Sequence, residues 1–188
     1  MLRKAIIKNN VSVKVWIAAL ALTMTSIVAN ATPFGLSLSV PLVTKDPKPF
    51  HGYRVALTYQ PPAFVWHYAS VYFDASYGNW WTGDQGPYHS ISIYGIAPYL
   101  RLYFTKTEKF SPYVEASLGA SYLSKTRIGC RNLGIHYSFQ DQLTLGTAFG
   151  KDQPFFISLS AVHYSNGSMA SSNAGITMPL VLSMGYRF

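Results

Sequence analysis

Cysteine is all but absent from this chain. Cys130 stands alone among 188 residues, so no internal disulfide can hold the fold, and Arg127 and Arg131 beside it offer a thiol charge but no general base. Charge is scarce too: 12% of residues are Asp, Glu, Lys or Arg, against 49% hydrophobic and 15% aromatic. That balance is unusual for a soluble, turn-rich domain and suits a surface that meets an apolar solvent. No cluster of His, Cys, Asp and Glu has metal-ligand spacing, so no metal is implied. Beyond the N-terminal segment there is no apolar run of about 18 residues, which excludes a spanning helix there.

What is present begins with Arg3, Lys4, Lys8 and Lys14, ahead of an apolar run from Val15 to Val28 that closes in Ala29, Asn30 and Ala31. A basic start, a short apolar core and small residues at its end predict a secretory signal peptide over 1–31, with one mature domain over 32–188. A membrane anchor is the alternative, and the run is short for one. Without those four basic residues, eleven remain against seven acids, and the formal charge falls from +8 to about +4. A mildly cationic exported chain fits a polyanionic membrane surface. Export and the lack of a basic stripe argue against nucleic acid as a partner.

Short segments of period-two alternation, bounded by turn residues, fill the rest of the chain, as in barrel strands. In Gly52–Gln60, Tyr53, Val55, Leu57 and Tyr59 oppose Arg54, Ala56, Thr58 and Gln60. In Pro112–Leu123, Val114, Ala116, Leu118, Ala120 and Tyr122 oppose Glu115, Ser117, Gly119 and Ser121. Further strands are predicted at Phe34–Val43, Phe64–Tyr77, Tyr88–Phe104, Ile135–Phe149, Pro154–Asn166 and Met178–Phe188. Loops are predicted at Lys45–Phe50, Asn79–Pro87 and Ser124–Gly134, with a tight hairpin at Gly150–Gln153. Eight strands predict an all-β fold, an eight-stranded antiparallel transmembrane β-barrel of the outer membrane. Such a barrel is closed, leaving no edge to hydrocarbon, and its interior is filled by side chains. The parity of apolar residues switches after Ile93, which predicts a bulge at Gly95 beside Pro98. Arg54, Asp74, Arg101, Glu115 and Arg187 take lumen parity and predict an interior ionic ladder, a catalytic role for Asp74 or Glu115 being the alternative.

One strand carries more than packing. In Phe155–Ser165, Phe155, Ile157, Leu159, Ala161, His163 and Ser165 share a face, so a base and a hydroxyl sit on the greasy side. Their Cα atoms should lie about 6.6 Å apart, a gap an imidazole can bend across, and serine becomes a nucleophile when such a base takes its proton. An interfacial histidine without chemistry is the alternative. The tripeptide recurs at His136, Tyr137 and Ser138, but there Ile135, Tyr137, Phe139, Leu143 and Leu145 hold the apolar parity, so His136 and Ser138 are expected in the lumen. If Phe149 pairs near residue 155, Asp141 falls opposite His163 on the same face, as an orienting acid or a charge partner, or else as an aspartate among headgroups. For an oxyanion hole, Asn166 offers a side-chain amide, Gly167 a close backbone, and the loop through Asn173 to Gly175 further N–H groups.

Three stretches, PYVEASLGASYLSKTRIGCRNLG from Pro112, HYSFQDQLTLGTAFG from His136 and HYSNGSMASSNAGI from His163, resemble the lipid A deacylase family of outer-membrane barrels, the PagL-type 3-O-deacylases. A fainter likeness reaches back to Asn79–Tyr88. The resemblance implies a serine esterase that removes a 3-hydroxyacyl chain from lipid A or lipopolysaccharide, with His163 and Ser165 as its catalytic pair and no cofactor. The family's orienting acid falls on Thr177 here. Threonine can hydrogen-bond the imidazole but cannot balance its charge, so a structural or adhesive barrel, or a relative without activity, stays open. The closing residues Met184, Gly185, Tyr186, Arg187 and Phe188 resemble the C-terminal signal read by barrel assembly machinery. That implies an integral protein of a Gram-negative outer membrane, with the machinery a partner through Phe188. A homodimer is left open, as is a meeting of Lys45, Lys48, Lys106, Lys109, Lys125 and Arg127 with lipid phosphates.

Overall fold

The structure, a computed structural model, describes residues 32–44, 50–83, 87–107 and 109–188; the expected signal peptide, Lys45 and Lys48 lie outside the described residues. Eight long strands close into one antiparallel barrel: β1 Phe34–Val43, β2 Phe50–Tyr59, β3 Ala69–Thr82, β4 Ser90–Tyr103, β5 Ser111–Leu123, β8 Tyr137–Phe149, β9 Phe155–Ser165 and β10 Ile176–Arg187. Two short strands, β6 Arg127–Ile128 and β7 Arg131–Asn132, form a small hairpin inside the loop between β5 and β8. The predicted all-β barrel is the observed fold, with β10 pairing β1 to remove the last edges. One end carries the β8–β9 hairpin together with the first and last residues of the strand cylinder. The other carries the 124–136 and 166–175 loops. Short turns face the periplasm and longer loops the exterior in such barrels, so the second end is the extracellular one.

Two predicted boundaries move for physical reasons. The start predicted for the third strand at Phe64 is taken by a single 3-10 turn, Pro62–Phe64, because Pro61 and Pro62 lack the N–H a ladder needs. At its other end β3 continues through Trp80, Trp81 and Thr82, into the segment predicted as a loop. Trp80 is buried inside the barrel, and Asn79 Nδ2 donates to Ser92 Oγ at 3.0 Å across the β3–β4 pair.

The bulge predicted at Gly95 is not there. β4 pairs with β3 and β5 without a shift in register, and its inward and outward positions alternate without a break. Ile91 and Ile93 point into the lumen, where they join Trp80, Leu123, Ile176 and Met178 in an apolar plug below the extracellular loops. A small barrel is filled rather than hollow, so apolar parity stops marking the outer wall near this end. Irregularities sit instead between Pro41 and Val43 and between Met178 and Val181. His136 also departs from expectation. It precedes β8, is exposed, stacks on Tyr122 with ring centroids 5.5 Å apart and places Nδ1 2.5 Å from the Leu123 carbonyl oxygen. Ser138 is buried in the interior as predicted.

The middle of the lumen holds the ionic ladder. Arg54 Nη2 donates to Asp74 Oδ2, Arg101 Nε donates to Glu115 Oε1 at 2.6 Å, and Tyr72 O–H donates to Glu115 Oε2 at 2.8 Å. Arg187, predicted in the same ladder, instead ends β10 at the periplasmic side and meets neutral acceptors, Gln60 Oε1 and the Gln153 carbonyl, each at 2.8 Å. Arg101 and Glu115 are each only 3% exposed, so removing one partner strands a buried charge. Glu115→Ala is therefore expected to cost about 3–5 kcal/mol, read as a lower denaturant midpoint for the barrel in micelles. An unchanged midpoint would show that water replaces the carboxylate.

Candidate active site on the outer wall

Three neighbouring strands bring three polar side chains into one row. Asp141 on β8 is the register partner of His163 on β9, and His163 is the partner of Thr177 on β10. All belong to the bilayer-facing set: along β9, Phe155, Ile157, Leu159 and Ala161 are exposed while Ser158, Ser160, Val162 and Tyr164 are buried inside. His163 and Ser165 are half-buried at the extracellular end of that outer face. Strand periodicity alone produces this, since every second residue must repeat the side.

Within the row the contacts are unequal. His163 Nδ1 lies 2.9 Å from Thr177 Oγ1, whereas Asp141, although in register, makes no side-chain hydrogen bond or ion pair to His163 among the described residues. Ser165 Oγ and His163 Nε2 are on one face but are not hydrogen-bonded to each other. Directly opposite Ser165 on β8 is Phe139.

Beyond Ser165 the chain turns sharply, and the turn needs special residues. Gly167 has φ +61° and Ser168 φ +65°. Gly175, with φ +60°, returns the chain to β10, and a Cβ there would stand 3.0 Å from both His163 Cε1 and the Tyr164 carbonyl oxygen. Backbone conformation and close approach to the imidazole both require glycine. Asn166 is 2% exposed; its Nδ2 donates to the carbonyl oxygens of Leu133 at 2.9 Å and Ser172 at 2.8 Å. Both donors of that amide are committed to holding the loop. Asn173 uses Oδ1 to accept the Asn166 backbone N–H at 3.0 Å, which leaves its own amide protons for another acceptor.

Sequence reasoning missed what holds this loop. Arg131 Nη1 donates to the carbonyls of Ala174 at 2.9 Å and Gly175 at 2.6 Å. Asn132 Nδ2 donates to Ser172 Oγ at 3.1 Å, and the Ala174 N–H donates to the Asn132 carbonyl at 3.1 Å. The β6–β7 hairpin is thus a splint for the segment that passes the imidazole. Hydrogen bonds from a charged donor are worth about 1.5–3 kcal/mol, so Arg131→Ala is expected to loosen the 166–175 loop, read as faster backbone amide exchange at Ala174 with the denaturant midpoint of the barrel little changed, and Arg131→Lys to restore part of the protection. Unchanged exchange would show that the loop holds itself.

Fold and site together define an integral outer-membrane β-barrel whose polar residues gather on the lipid-facing wall near the outer rim. Comparison with known proteins narrows this. The model of the family "Lipid A 3-O-deacylase (PagL)" matches residues 51–187. Lipid A deacylase PagL of Pseudomonas aeruginosa is 33% identical over 129 residues, covering 66% of this chain and 71% of that protein. The protein of the same name from Bordetella bronchiseptica is 28% identical over 184 residues, covering 92% and 93%. Among solved structures, the outer membrane enzyme PagL superposes with a TM-score of 0.69 at 26% identity, over 82% of this chain and 99% of that one. Neisserial surface protein A shares the fold, with a TM-score of 0.53 at 12% identity over 85% and 100%. The chain belongs to the lipid A 3-O-deacylase (PagL) family.

Proposed function

We propose that this protein is a serine esterase of the outer membrane that removes the ester-linked 3-hydroxyacyl chain at the 3 position of lipid A. The observation that carries the reading is the His163–Ser165 face, turned to the bilayer at the rim, with Nδ1 of the imidazole held 2.9 Å from Thr177 Oγ1. Lipid A presents its ester at that level. Ser165 Oγ attacks the ester carbonyl while His163 Nε2 takes the hydroxyl proton; the tetrahedral intermediate collapses, and the same proton leaves with the sugar hydroxyl. Water then repeats the sequence on the acyl-enzyme, releasing the 3-hydroxy fatty acid and restoring Ser165.

Thr177 keeps Nδ1 protonated by accepting its hydrogen, so Nε2 presents a lone pair. Charge on the imidazolium is met at longer range by Asp141, its register partner on the other side. For the oxyanion, the Gly167 N–H and the Asn173 amide are the donors, since Asn166 is committed to the loop. Phe188 is the residue that assembly machinery reads. A second reading draws on Thr177: a family member that lacks the acid and does not turn over. Expression in cells with hexa-acylated lipid A, followed by mass spectrometry of the extracted lipid A, separates the two. Loss of one 3-hydroxyacyl chain is expected, and an unchanged lipid A spectrum with the barrel folded in the membrane would leave only the second reading.

A further inference from the structure

The periplasmic end of the barrel is not evenly trimmed. Its longest connection, residues 60–68, joins β2 to β3. It contains no Asp, Glu, Lys or Arg, yet Phe64, Trp66 and Tyr68 stand exposed on it, Trp66 at 52%. Bulky apolar side chains grouped on a surface mark something that covers them. Pro61 and Pro62 stop the β2 ladder, and the chain then runs beside the first residues of β3: Val65 bridges Ser70, and the Trp66 N–H donates to the Ala69 carbonyl at 2.8 Å. Phe64 lies against Trp66 and against Phe73, with ring centroids 6.4 Å apart in each case. Phe73 belongs to the bilayer-facing set of β3. The turn is thus folded onto the outer wall and continues it downward.

A second turn is tied to the first. Lys106 Nζ donates to the Trp66 carbonyl at 3.2 Å and sits 4.4 Å from the centre of the Tyr103 ring. An ammonium carries three protons, so this bond leaves it donors for an anion. Phe104 and Phe110, on either side of it in the chain, are exposed. Rings that end an apolar wall, with a cation among them, match the boundary between hydrocarbon and lipid phosphate.

Height follows from this placement. Phe155 opens β9 at the periplasmic end, stacked on Phe149 with ring centroids 5.7 Å apart, and Ser165 closes it at the outer rim. The strand rises about 33 Å along its own axis and, at a tilt of roughly 40°, about 25 Å along the membrane normal. That is about the apolar height of such barrels. A stop at the inner interface therefore delivers Ser165 to the outer one.

We propose that the 62–66 turn and Lys106 form a foot on the phospholipid leaflet facing the periplasm, and that this contact fixes the height at which Ser165 meets its ester. The rings of Phe64 and Trp66 enter at the level of the acyl carbonyls, and the Lys106 ammonium takes a lipid phosphate. The contact rests on the fold, and its effect on rate rests on the esterase reading. Protein carrying Phe64→Ser and Trp66→Ser is expected to deacylate lipid A in detergent micelles at the wild-type rate, since a micelle has no second leaflet. In vesicles of phosphatidylethanolamine and phosphatidylglycerol carrying lipid A it should be about ten-fold slower, because a small misplacement of the reacting groups is costly. Lys106→Ala should show a smaller loss of the same kind. Equal losses in micelles and vesicles, or none in either, would overturn the proposal. Docking is read without turnover from the part of the tryptophan emission that Trp66→Phe removes, in the same vesicles made with brominated phosphatidylglycerol. Bromines near the ester end of the chain should quench it more than bromines near the methyl end. An unquenched Trp66 would stand in water, open to a periplasmic protein, and would end the proposal. Quenching as expected with no deacylation by any form would keep the foot and remove the esterase reading.

Discussion

Ser165→Ala and His163→Ala are each expected to lower deacylation on the order of 10⁴-fold, and the double variant no further. In a complete serine triad, loss of nucleophile or base costs on the order of 10⁶, and losses within the unit do not add. Part of that advantage depends on the acid, whose replacement by an amide costs on the order of 10⁴ largely by imposing the wrong tautomer. Thr177 Oγ1, 2.9 Å from Nδ1, can accept the imidazole proton and so preserves the useful tautomer; what it does not supply is negative charge. The pair should therefore retain more than a tautomer-blocked triad and less than a full one. Release of the 3-hydroxy fatty acid from purified lipid A in micelles gives the rates. Losses that add in the double variant would mean that the two groups act separately.

Thr177 itself carries the second large effect. Thr177→Glu is expected to raise turnover about 100-fold, since a carboxylate at this place would accept the same proton and also stabilise the imidazolium. Thr177→Val, which removes the hydroxyl, should lower it, and Asp141→Asn in the Thr177 background should lower it again, because no other carboxylate pairs in register with His163. If Thr177→Glu is no faster than wild type while Asp141→Asn is inert, the missing charge does not limit the reaction and release of product becomes the step to examine. Steady-state rates on purified lipid A separate these outcomes.

Most of the barrel was legible because period-two alternation is a local signal. It placed His163 and Ser165 outward, and the tight hairpin after Phe149 was enough to put Asp141 opposite His163, as the pairing has it. It failed at Ile91 and Ile93, where apolar residues face a filled interior, and at His136, which precedes its strand and stacks on Tyr122. The support for the 166–175 loop was invisible for a different reason. Arg131 meets Ala174 and Gly175 across more than forty residues of sequence, and no spacing rule links an arginine in one loop to carbonyls in another. Asn166 illustrates the same limit, since an amide beside a serine suggests a donor to substrate until both its protons are traced to Leu133 and Ser172.

The last strand has two tasks. One edge of β10 brings Thr177 to His163, and the opposite edge pairs with β1 to complete the cylinder. Because β9 and β10 follow one another in the chain, their pairing sets Thr177 beside His163 whether or not β10 has met β1. The contact at the imidazole is therefore written into neighbouring stretches of sequence, while the join between first and last strands seals the wall and leaves that contact alone.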